Sequence, residues 1–85
     1  MNKVEKKNLE ALMAIKATLE ASLNIHLTKD EDDCLKIPTK ELWVFPSPHA
    51  DNLIHVYDES YDVERRVKLM TLLESEGFKV SLALD

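Results

Sequence analysis

The residues able to act as nucleophiles, bases or metal ligands are few in this chain: one cysteine, three histidines and a run of acids. Cys34 is a lone thiol, so a nucleophile–base pair would need the fold to bring His26, His49 or His55 to it. His49 and His55 flank a loop, and the chain contains neither His-x-His nor a helical His-x-x-x-His pair. The spacing of a zinc site is therefore missing. Asp30-Glu31-Asp32-Asp33 imitates the start of a calcium loop, with Asp30, Asp32 and Glu41 at its first, third and twelfth positions. The imitation fails in between. Leu35 stands where the turn glycine belongs, Cys34 replaces an oxygen ligand, and Pro38 lies inside the loop. Asp30, Asp32 and Asp33 are then either a solvated loop or an acidic patch that meets a basic partner.

Other chemistry is excluded by composition. A single glycine, Gly77, makes neither a phosphate-binding loop nor a dinucleotide fingerprint. Arg65, Arg66 and Lys68 form a small basic cluster, but Asp62, Glu64, Glu74 and Glu76 surround it, so the face neutralises itself. No catalytic residue, metal or cofactor is assigned, and the chain is read as not an enzyme.

The formal charge of −5 argues against direct nucleic-acid binding, which needs a basic surface to displace counterions. With 45% hydrophobic and 32% charged residues the chain is too apolar for disorder. Its 85 residues suit one domain with a thin stability margin. A lone cysteine fits a reducing compartment, and no apolar run reaches signal-peptide or membrane-span length. The expectation is a cytoplasmic protein without membrane partners.

The elements that would position these residues are organised around the last third of the chain. Asn52–Tyr57 reads as a strand, Ser60–Glu76 as a helix capped by Ser60 and stopped by Gly77, and Phe78–Leu84 as a second strand. Val63, Val67, Leu69, Met70 and Leu73 form the helix's expected buried face, with Arg65 and Lys68 pointing away and Arg66 at the border. Phe78, Val80, Leu82 and Leu84 share one face of the strand. Strand, helix, strand implies a parallel crossover.

Earlier in the chain, Asn2–Asn24 reads as one helix. Asn2 and Glu5 make a capping box, and Asn24 is a left-handed stop. Its apolar arc (Val4, Leu9, Leu12, Met13, Ile15, Leu19, Leu23) is wide enough to suggest a second subunit or cover by the other helix. His26–Asp33 reads as a loop. Cys34–Ile37 is a short strand ended, or held at an edge, by Pro38. Glu41–Phe45 is a stronger strand, antiparallel to Leu53–Tyr57 across a proline-rich loop. The fold class is α+β, a two-layer sandwich of two helices on a mixed sheet of three to four strands, in the order α-β-β-β-α-β.

Strand alternation then makes a functional suggestion. If Leu42, Val44, Ile54 and Val56 face the helices, Trp43, Phe45, His55 and Tyr57 face outward. An uncovered aromatic patch fits a homodimer, a protein partner, or stacking on single strands, and the last conflicts with the charge. The opposite parity would place Trp43 and Phe45 in the core. The reading is a small acidic interaction module, accessory or regulatory, working as a homodimer. It is of the size and charge that phages and mobile elements use for such proteins. The alternative is an acidic inhibitor or mimic that blocks a nucleic-acid-binding partner through Asp30–Asp33 and Asp58–Glu64.

Overall fold

The computed structural model describes residues 2–37, 41–60 and 62–84. Expectations that rest on Pro38, or on the side chain of Leu84, lie outside the described residues.

Helix α1 (Lys3–Ala14) begins as its capping residue dictates: Asn2 Oδ1 accepts the backbone N–H of Glu5 at 2.8 Å. The expected single helix does not continue to Asn24. It breaks at Ile15, whose φ of −105° and ψ of 5° leave the helical region, and α2 (Lys16–Leu23) starts afresh. No proline or glycine stands there. The break is imposed by packing, since α1 lies on the sheet while α2 lies against the third helix. Asn24 ends α2 in the left-handed conformation at φ 53°, and the N–H of Ile25 reaches back to Glu20 O at 3.1 Å.

The stretch expected as a loop carries a small strand, β1 (Thr28–Lys29), which pairs with β2 (Leu35–Lys36). Five residues join them: Asp30 N–H bonds Cys34 O at 3.0 Å, Asp33 N–H bonds Asp30 O at 3.2 Å, and Asp33 itself is left-handed at φ 59°. Strand β3 (Leu42–Pro46) and strand β4 (Leu53–Asp58) are antiparallel as expected, and the register sets Val44 opposite Val56. Helix α3 (Val63–Ser75) is capped by Asp62, not by Ser60; Asp62 Oδ1 accepts the N–H of Arg65 at 2.9 Å. The hydroxyl of Ser60 is drawn instead to Asp58 Oδ1, 2.6 Å away.

Gly77, at φ 95°, closes α3 with both bonds of a Schellman turn: Gly77 N–H to Glu74 O at 3.0 Å and Phe78 N–H to Leu73 O at 3.1 Å. The chain then enters β5 (Lys79–Leu84), parallel to β4 as a crossover requires.

The sheet has five strands in sequence order, one or two more than expected, because two-residue strands such as β1 have no alternation to betray them. Leu12, Leu19, Leu69 and Leu73 from the three helices meet Leu35, Leu42, Val44, Ile54 and Val56 in one core cluster. The helices therefore share one face of the sheet, giving the expected two-layer α+β arrangement. The expected buried face of α3 is corrected in part. Leu69 and Leu73 are buried, but Val63 and Val67 are 59% and 57% exposed. Arg65, expected to point away, is mostly covered and lies 3.7 Å from Glu41. The wide arc of α1 and α2 is largely closed within the chain, leaving Met13 as its one exposed large apolar side chain.

Candidate aromatic and acidic interface

Alternation along β3 and β4 decides the sheet's two faces. Leu42, Val44, Ile54 and Val56 are at most 1% exposed beneath the helices. Trp43, Phe45, His55 and Tyr57 therefore stand on the opposite face, where no described helix lies. The pairing register sets Trp43 directly across from Tyr57 and Phe45 from His55. Trp43 meets Tyr57 edge to face, centroids 5.3 Å apart at 61°, and Phe45 stacks on His55 at 5.2 Å and 28°. The Trp43–Tyr57 pair contributes about 0.5–1.5 kcal/mol beyond its buried area. Two rows run across the sheet: Lys36, Trp43, Tyr57 and Ala83, and beside it Phe45, His55 and Ser81. Phe45 remains 36% exposed, and the Tyr57 hydroxyl donates to Glu59 Oε1 at 3.1 Å.

At the β2 side of this face the aromatic rows run into a cleft of about 290 Å³, lined by Glu5, Asp30, Asp32, Cys34, Trp43, Phe45 and Pro46. Three of these are carboxylates and two are aromatic, and none of the described residues lining it is a cation. Glu5 arrives from the first turn of α1 and Asp30 and Asp32 from the β1–β2 turn. The fold thus joins two of the residues singled out as aromatic with two singled out as acidic. Glu5, Cys34 and Pro46 complete the cleft without any local sequence signal.

Individual carboxylates differ in how free they are. Asp30 organises its own turn: its Oδ1 accepts the N–H groups of Asp32 and Cys34 at 2.9 and 3.0 Å, and Oδ2 lies 3.7 Å from Lys36 Nζ. Burial alone would raise its pKa. The two backbone hydrogen bonds and Lys36 outweigh burial and hold it below the ordinary value. Asp33 supplies the left-handed turn residue and pairs with Lys29 at 2.8 Å, which takes it out of the cleft. Asp32 is exposed. Asp58 is remote from this site and buried, its Oδ2 2.7 Å from Arg66 Nε.

The Cys34 thiol is pushed up to about 11, first by burial and then by the Asp30 carboxylate. At neutral pH it is a protonated thiol and a weak nucleophile. Among the described residues no three His, Cys, Asp or Glu side chains converge as metal ligands, and His26 sits apart, 3.2 Å from Glu20.

One buried polar residue escaped the sequence reading although its signal was present. At 100° per residue Asn8 falls in the middle of the apolar arc, between Val4 and Ile15 on one side and Leu12 and Leu19 on the other. It is 1% exposed and holds the Pro46–Asn52 loop through its side-chain amide. That loop carries β3 into β4 and so sets the aromatic pairs in register. Comparison with known families, curated proteins and solved structures returns no match for this chain.

Proposed function

We propose that this chain is a small non-enzymatic interaction module, accessory or regulatory in role, that receives a lysine or arginine side chain of a partner protein. The observation that carries this reading is the cleft in which Trp43 and Phe45 lie beside Glu5, Asp30 and Asp32. Aromatic faces attract cations through their quadrupole, and adjacent carboxylates add a direct ion pair. The remaining aromatic rows supply apolar area around that anchor, as the centre of a protein interface requires. The net charge of −5 favours a basic partner and disfavours nucleic acid. A lone protonated cysteine suits a reducing, cytoplasmic setting.

An acidic inhibitor or nucleic-acid mimic has less to stand on. Of the acids it would use, Asp33 is paired with Lys29 and Asp58 is buried against Arg66.

Trp43 is the sole tryptophan, so its fluorescence reports occupancy of the cleft. Short arginine- or lysine-containing peptides should change its emission saturably, more weakly as salt rises, and not in Phe45→Ala. An equal response to acidic peptides, or none to basic ones, would refute the reading.

A further inference from the structure

Two features of the opposite end of the sheet point the same way. Strand β5 is an edge strand. Lys79 N–H donates to Asn52 O at 2.7 Å, so in this parallel pair the backbone groups of Lys79, Ser81 and Ala83 face β4. Those of Val80, Leu82 and Leu84 must then point outward, and no described group bonds to them. Edges this long are normally blunted. The other edge is blunted, since β1 has two residues and ends in the charged turn. Along β5 the only charge among the described positions is Lys79, and there is no proline or bulge.

The second feature is α3, which packs on β5. Arg65 and Lys68 line a cleft with Ser22 and Leu23 of α2 and its capping residue Asn24, and Arg65 lies 3.7 Å from Glu41 beside β3, so that flank of α3 faces inward across the sheet. Helical geometry puts Val63, Val67 and Met70 on the other flank, on the β5 side. Val63 and Val67 are more than half exposed there. These are side chains whose periodicity marks them for burial, and the described residues leave them more than half uncovered.

We infer that the outer edge of β5, with the Val63–Val67–Met70 flank of α3 beside it, is the seam at which a second copy of this chain pairs. This does not rest on the cleft reading. Antiparallel pairing about a two-fold axis at Leu82 sets Leu82 against its own copy and Ser81 against Ala83 of the second copy. It merges two sheets into one and brings α3 to α3 above the seam. An extended peptide would take the strand edge and leave the valines in water, whereas a second copy covers both layers. The strand edge alone is a strip about 20 Å by 5 Å, and adding α3 makes a wall about 20 Å square, roughly 400 Å² a side, which is the range of a weak, reversible dimer. The aromatic face stays open, so the dimer presents two clefts.

Sedimentation equilibrium at up to ~100 μM tests this. Wild type should sediment at twice the 9.8 kDa chain mass. Val67→Glu, at an exposed position, should raise the dimer dissociation constant about tenfold or more by placing an unpaired charge in the seam. Circular dichroism checks that it still folds. The register is tested by charge. Ser81→Lys/Ala83→Lys and Ser81→Glu/Ala83→Glu should each be monomeric alone and dimerise when mixed. A wild-type monomer at ~100 μM would overturn the inference. So would a dimer indifferent to Val67→Glu, or one lost in Phe45→Ala instead.

Discussion

The side-chain oxygen of Asn8 accepts the backbone N–H of Asn52 at 2.8 Å, while its amide nitrogen donates to Ser47 O and Ala50 O, both at 2.9 Å. One helical residue thus supplies three of the loop's hydrogen bonds. Asn2 helps from the same helix by donating to Pro48 O at 2.8 Å. Asn52 needs the support, because it is left-handed at φ 60°. Replacing Asn8 by Ala leaves buried carbonyls and an N–H unpaired, and should lower stability by about 2–4 kcal/mol. Asn8→Leu should do no better, since apolar volume leaves the same groups unpaired. Urea unfolding measures both; a cost below about 0.5 kcal/mol would mean that the loop holds itself.

Gly77 is required for its backbone, not for space. A Cβ there would meet nothing within 4 Å, yet φ is 95°. Gly77→Ala should cost at least about 1 kcal/mol, and Gly77→Val more, because a β-branched residue resists positive φ. A wild-type melting temperature for the valine variant would contradict this assignment of strain.

Stability should fall at both ends of the pH range, for separate reasons. Burial opposes the charge of Asp58, but the Ser60 hydroxyl, Arg66 and the Ser60 N–H outweigh it and hold the carboxyl below its ordinary value. A depressed folded pKa gives stability that is complete above the unfolded value and lost as pH falls through the folded one. Asp58→Asn should flatten that acid limb. Arg66→Ala should cost about 3 kcal/mol or more by leaving the buried carboxylate without its cation. Cys34 works in the opposite direction. Its pKa is raised from 9.0 to about 11, so its contribution is present below pH 9 and lost as pH climbs toward 11. Cys34→Ala should remove that alkaline limb. Unfolding free energies measured across pH separate the two, and unchanged limbs in these variants would refute the assignments.

Local rules explain why much of the chain was legible. The alternation of Leu42–Phe45 and Leu53–Tyr57 set which side chains share a face, and a period of two admits only two answers. The sequence left that choice open, and packing of the helices selected the one that puts Trp43 and Phe45 on the face away from them. Asn2, Asn24 and Gly77 mark helix ends because capping is a matter between neighbours. The break at Ile15, the exposure of Val63 and Val67, and the meeting of Glu5 with Asp30, Asp32 and Trp43 were not legible. Periodicity states that a helix has an apolar side but not which partner covers it. Val63 and Val67 fit the α3 stripe as well as Leu69 does, yet only Leu69 lies over the sheet. Asn8 shows the same divide within one residue. Its place amid an apolar arc announced a buried polar group, but its partners lie about forty residues onward, in a loop that the folded chain brings beneath α1.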